Sequence, residues 1–233
     1  MAGLKLTIIF LFVNVICISV ARVIGRKSLA ERTAEILKSF PGVPERIPDG
    51  PWFPIDPPHF TIKPPKPTDP PVSQGSELDL AFIMDTTGSM SSYISNVRQH
   101  IKDLVDAIAA SSSTNLRIAL IEYRDHPPQD RFFVTRTHHF TSSVSTMKSW
   151  LNAARAQGGG DGPEAVADAM FQATTLSWRP NAAKISVLVT DAPPHGLVSS
   201  GDSFPSGCPS NHDPIDIART LARRGITLYT VGM

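Results

Sequence analysis

The chain has 233 residues, 41% of them apolar, with 22 basic and 21 acidic side chains and a formal net charge of +1. That length supports one domain with a sizeable core and does not call for two. The near-neutral balance offers no electrostatic footprint for nucleic acid or for an acidic membrane surface.

The N-terminus reads as an export signal. Lys5 supplies a positive charge, and Leu6 to Val20 is an almost unbroken apolar run. Ser19 and Ala21 place small side chains where a signal peptidase needs them. The run falls short of the roughly 20 apolar residues that span a bilayer. Residues 1–21 are therefore expected to be cleaved after Ala21, giving a secreted, extracellular protein with no stable membrane span. Cys17 would leave with the signal, so Cys208 would be the one cysteine of the mature chain, and no disulfide framework can be read.

Ser28 and Glu31 have capping-box spacing, and Leu29, Thr33, Ile36, Leu37 and Phe40 recur at helical intervals, which predicts a short amphipathic helix over Leu29 to Ser39. Twelve of the 21 prolines then fall between Pro41 and Pro71. Each fixes its own φ and restricts its predecessor, so residues 41–77 should form an extended linker rather than helix or central strand.

Beyond the linker, strands and helices alternate. Leu78 to Met84 reads as a buried strand ending at Asp85, and Ser89 to Ala110 as a helix with Met90, Ile94, Val97, Ile101, Leu104, Val105 and Ile108 on one face. Arg117 to Tyr123 and Phe132 to Thr141 follow as strands, antiparallel because only a short polar turn, Asp125 to Gln129, joins them. Val144 to Ala156 and Pro163 to Leu176 read as helices flanking a glycine-rich stretch, Gly158 to Gly162. Ile185 to Val189 is a fully apolar strand ending at Thr190 and Asp191. After a long loop, Pro214 to Arg224 is a helix and Ile226 to Val231 a last strand. The alternation predicts an α/β fold with a doubly wound, mostly parallel sheet and one antiparallel edge strand.

In such sheets ligands bind beyond the carboxyl ends of the strands, where strand order reverses. Three oxygen-bearing clusters fall at such ends: Asp85, Thr87 and Ser89; Asp161 and Glu164; Thr190 and Asp191. Carboxylates and hydroxyls without a soft ligand suit a hard divalent cation. Taken alone, Asp85 to Ser89 is equally well read as a strand end followed by helix-capping hydroxyls.

The stretch IMDTTGSM between an apolar strand and an amphipathic helix resembles the D-x-[ST]-x-S motif of the metal-ion-dependent adhesion site in von Willebrand factor A domains. VLVTDAPPHG resembles the family's later strand with its second metal-site aspartate. YRDHPPQD, QGGGDGPEA, GDSFPSGCP and DPIDIAR are similar to the A domains found beside alpha-kinase domains, although no kinase-like sequence is present. The resemblance implies a Rossmann-like fold and a metal site containing Asp85, Thr87, Ser89 and Asp191. It also implies a further helix, edge strand and final helix beyond Val231, so the sequence reads as truncated after its fifth strand. At the middle position many members have threonine; here Asp161-Gly-Pro-Glu164 stands closer to the D-x-P-E of integrin β subunits. Both Asp161 and Glu164 are candidates, with Asp161 ahead because it directly follows the glycines.

A third carboxylate tips the local charge to about −1 around a divalent ion. Mg²⁺ is the expected cation, with Mn²⁺ or Ca²⁺ as alternatives, and it should be held firmly while depending less on an acidic ligand. The resemblance implies a non-enzymatic adhesion module for a protein or extracellular matrix ligand. One alternative is a structural matrix protein with a stabilising metal. Another is a Mg²⁺-dependent phosphotransferase, which is disfavoured because no carboxylate stands two residues after Asp85 and no lysine is well placed. The glycine run lacks the Gly-Lys-Ser/Thr ending of a phosphate loop, which argues against a nucleotide. His138 and His139 should point to opposite faces of a strand, His126 should be solvated in its proline turn, and His195 should border the metal site.

Overall fold

The computed structural model describes residues 76–110, 114–198 and 200–233, so the expected signal, the Leu29 to Ser39 helix and the proline-rich linker lie outside the described residues. Five strands form one sheet: β1 (Ser76–Asp85), β2 (Thr114–Tyr123), β3 (Thr135–Thr141), β4 (Ala183–Thr190) and β5 (Ile226–Gly232). Their order is β3-β2-β1-β4-β5. β1 pairs in parallel with β2 and β4, β4 in parallel with β5, and only β3 runs antiparallel, along β2. The α/β fold with a mostly parallel sheet is as the sequence pattern led us to expect.

β1 is the axis of the molecule because it is apolar on both faces. Leu78, Leu80, Phe82 and Met84 point into one core with Val97, Ile101 and Leu104 of α1 (Ile94–Ala109) and Met147 and Leu151 of α2 (Val144–Ala153). Ala81 and Ile83 point the other way, toward Val166 and Met170 of α3 (Val166–Thr175) and Ile217 and Leu221 of α4 (Pro214–Arg223). Residues of period two thus feed two cores, which is how a doubly wound sheet is read from a continuous apolar run. Burial of each large side chain on β1 stabilises the fold by about 2 kcal/mol.

Several boundaries differ from expectation. The helix expected from Ser89 begins as a 3-10 turn, Gly88–Ser92, and becomes α-helical only at Ile94. That irregular turn is the loop that presents Thr87 and Ser89. β3 starts at Thr135 rather than Phe132, because Asp130 Oδ1 accepts the Phe132 N–H at 2.7 Å and holds the chain in a turn. Pro163 to Ala165 precede α3 rather than open it, since Glu164 N–H bonds to Pro193 O at 3.0 Å and ties this segment to the loop after β4.

Candidate metal centre

The strand order reverses between β1 and β4, on either side of which the chain continues to opposite neighbours. Asp85 ends β1 there and Asp191 follows the last residue of β4. Asp85 is fully buried. Its Oδ1 accepts the Thr87 N–H at 2.8 Å and the Thr87 hydroxyl at 2.6 Å, while Oδ2 accepts the Tyr123 hydroxyl at 3.2 Å. Thr87 Oγ1 lies 3.0 Å from Ser89 Oγ, which donates to Asp191 Oδ1 at 3.0 Å. Asp85, Thr87, Ser89 and Asp191 therefore form one continuous chain of oxygens whose ends stand 106 positions apart in the sequence.

The glycine-rich loop closes over this chain. Gly88 N–H bonds to Gly158 O at 2.9 Å, and Gln157 N–H to Thr86 O at 3.0 Å. Gly159 has φ of +74°, and a Cβ there would stand 2.7 Å from Glu164 Oε1 and 3.3 Å from Thr87 Cβ. Only glycine lets the backbone pass between those two side chains. Glu164 is thereby held beside Thr87, 3% exposed, and its buried Oε2 has no hydrogen-bond partner.

Asp161 points elsewhere. Its Oδ2 accepts the Ser203 N–H at 2.5 Å, and its carboxyl lies in a cluster with His195 and Asp202. Of the six sequence-nominated residues, the structure brings five into one oxygen-lined group; Asp161 sits at its margin, and its buried Oδ1 is also unpartnered.

Electrostatics at this edge are dominated by like charges. Burial raises the Asp85 carboxyl to about 6, against the Thr87 hydrogen bonds and with added repulsion from Asp191. Burial, then the carboxylates of Asp85, Asp125, Asp161 and Asp191, pushes Glu164 up to about 9. Among the described residues no lysine or arginine bonds to Asp85, Glu164 or Asp191. A divalent cation fits such a site: it supplies the missing positive charge, and an oxygen already stripped of water loses nothing further by binding it.

The sequence profile described as von Willebrand factor A domain matches residues 79–198, more than half of the chain. The chain belongs to the von Willebrand factor A domain family. This A domain is 32% identical over 155 residues to the alpha-protein kinase vwkA of Dictyostelium discoideum, covering 65% of this chain and 24% of that protein. It is 29% identical over 167 residues to a putative ariadne-like RING finger protein of Acanthamoeba polyphaga mimivirus, covering 66% of this chain and 16% of that one. The chain thus spans less than a quarter of the length of these relatives. Among solved structures it is similar in fold to the pilus adhesin SpaC of Lactobacillus rhamnosus GG in its open conformation. The TM-score is 0.51 at 14% identity, over 67% of this chain and 24% of that one.

The histidines of the A domain depart from the sequence reading in one case. His126 is 5% exposed rather than solvated, with Nε2 2.8 Å from Asp168 Oδ2. The expectation failed because a proline turn is polar by composition, yet this one is folded beneath the loop that carries Cys208. His195 borders the carboxylate cluster, gripped by Asp125 Oδ1 and Asp202 Oδ1, each at 2.8 Å. Burial acts to lower its pKa, but those two carboxylates outweigh it and raise it. His138 bonds Glu122 Oε1 at 3.1 Å and stacks on Trp150. Asp125, whose Oδ2 is buried without a partner, was not singled out from the sequence; its place two residues after Tyr123, the last residue of β2, was the available signal. No helix among the described residues is long and apolar enough to cross a membrane.

Proposed function

We propose that this A domain is a secreted adhesion module that holds Mg²⁺ at the carboxyl edge of its sheet and uses it to grip an oxygen-bearing group of an extracellular protein or matrix partner. The observation that carries the reading is the unpartnered, buried Oε2 of Glu164 beside the Asp85–Thr87–Ser89–Asp191 chain. Thr87, Ser89, Glu164 and the two aspartates would hold the ion, and the cation would supply positive charge for an incoming carboxyl or carbonyl oxygen. Ser89 is exposed and Asp191 half-exposed, so this part of the site is open to a partner, whereas Asp85 and Glu164 lie beneath it. Three carboxylates against a divalent ion leave about −1, which favours firm retention of the ion over dependence on an acidic ligand.

A binding role also fits the state of Asp85 better than nucleophilic catalysis does. It is fully buried and both oxygens already accept hydrogen bonds, so neither is presented to a phosphoryl group.

The test is calorimetry of Mg²⁺ binding joined to retention of extracellular matrix proteins on the immobilised full chain, with and without EDTA. Glu164→Gln should weaken Mg²⁺ at least about tenfold, and Asp161→Asn much less. Ser89→Ala should lose both the ion and the retained partner. Partner retention that survives EDTA, while chelation lowers only the melting temperature, would replace adhesion with a structural role for the metal.

A further inference from the structure

A second cluster lies apart from the oxygen-lined edge, and its chemistry is different. His126, in the turn after β2, Asp168, in the first turn of α3, and Cys208, in the loop before α4, bring one ligand atom each into a buried triangle. His126 Nε2 is 2.8 Å from Asp168 Oδ2, Cys208 Sγ is 2.9 Å from the same oxygen, and Sγ is 3.7 Å from Nε2. All three side chains are 9% exposed or less. From outside, His212 Nδ1 sits 3.0 Å from the other carboxylate oxygen, with its ring stacked on Phe171. Cys208 and His212 both fall beyond the stretch, residues 79–198, that the family profile matches.

We propose that His126, Asp168 and Cys208 form a second metal site, selective for a borderline-soft ion such as Zn²⁺, with His212 orienting Asp168. A tetrahedral Zn²⁺ with bonds of about 2.0 Å to N and O and 2.3 Å to S sets ligand edges of about 3.3 to 3.5 Å. The triangle reaches that size with shifts of about half an ångström. One thiolate, one imidazole and one carboxylate make a donor set that suits zinc and not magnesium, the opposite of the hydroxyl and carboxylate set at β1. Three protein ligands leave a fourth position for water. The carboxylate oxygen not facing the ion takes a hydrogen bond from His212, the outer contact that commonly fixes such ligands. A lone buried cysteine without a disulfide partner among the described residues also gains a role. A thiol contributes only a weak hydrogen bond to Asp168, which a serine would make better.

Cobalt(II) reports directly on this site, because a bound thiolate adds a ligand-to-metal charge-transfer band in the near ultraviolet. The full chain, reduced and titrated with Co²⁺ in excess Mg²⁺, should show that band at one equivalent, and Zn²⁺ should bleach it. Cys208→Ser should abolish the band, and His212→Ala should weaken Zn²⁺ about 10- to 100-fold. Asp191→Ala should leave it intact, which separates this site from the one at the end of β1. Absence of the band in the wild-type chain, its survival in Cys208→Ser, or its displacement by Mg²⁺ would overturn the proposal.

Discussion

The two ends of β1 carry the same side chain in opposite electrostatic states. Near its start, Asp79 is fully buried but satisfied: Arg117 grips both oxygens at 2.9 and 2.7 Å, and Arg179 adds its backbone N–H at 2.7 Å and Nε at 2.8 Å. Burial works to raise its pKa, yet the two arginines overcome it and hold the carboxyl below its ordinary value. Six residues on, Asp85 meets hydroxyls, a phenol and other carboxylates, and burial carries it up to about 6. One end brings its own cations and is finished by folding. At the other end, among the described residues, no lysine or arginine bonds to Asp85, Glu164 or Asp191, and His195 bonds only the neighbouring Asp125 and Asp202; the carboxylate excess left over is what a bound cation would relieve.

The largest effect should come from removing the finished pair. Asp79→Asn leaves two arginines without their shared carboxylate and should cost about 3 kcal/mol in a urea melt, because breaking a buried ion pair strands the remaining charge. Glu164→Gln at the opposite edge should instead stabilise the chain in EDTA at pH 8, because burial holds the folded carboxyl at about 9 and folding must then take up a proton that an amide does not need. If both substitutions destabilise alike, the contrast between the ends is wrong.

Next in size is the response to the cation itself. Mg²⁺ at about 100 times its dissociation constant should raise stability by about 2.7 kcal/mol through mass action. Asp191→Ala should remove most of that gain, while Asp79→Asn should leave the gain unchanged despite its lower starting stability. Denaturant melts with and without Mg²⁺ measure both.

The ends should also titrate in opposite directions. Asp79 has a depressed folded pKa, so its contribution is complete above the unfolded value of 3.8 and is lost as pH falls through the folded one. Asp85 and Glu164 are raised to about 6 and about 9, above unfolded values of 3.8 and 4.5, so there the folded state holds the extra protons. In EDTA, stability should therefore fall as pH climbs toward 9, by up to about 1.4 kcal/mol per pH unit for each extra proton the folded state holds. Saturating Mg²⁺ should flatten that decline, since it stabilises the ionised forms. A flat profile in EDTA would show that the carboxylates at this edge are less coupled than their packing indicates.

What was legible in the sequence follows the same division. The apolar run of β1 and the stripe of α1 announce elements whose burial is set by local period; the strand formed where expected, while the helix kept its stripe but became α-helical only at Ile94 rather than Ser89. Asp85 and Asp191 were legible because they close apolar strands, and strand ends converge in a parallel sheet. The choice between Asp161 and Glu164 was not, because it depends on which way a glycine loop turns: Ser203 and His195 draw Asp161 aside, and both come from a loop far along the chain. The grouping of His126, Asp168 and Cys208 was equally hidden, since its members are 40 to 82 residues apart and share no local pattern.

The smallest predicted effect is also the most local. Gly159→Ala forces φ of +74° on a residue with a Cβ and drives that Cβ to 2.7 Å from Glu164 Oε1. The backbone strain alone costs about 1 kcal/mol. The carboxylate end is more mobile than a backbone atom, so Glu164 should swing away rather than the loop unfold. Mg²⁺ affinity should then fall by more than the stability loss accounts for, with Asp79 and the opposite edge untouched. Gly201, at φ +72° with open space around it, is the control: alanine there carries the same strain without touching Glu164. Equal losses of Mg²⁺ affinity at both positions would mean that Glu164 does not need the passage that Gly159 leaves open.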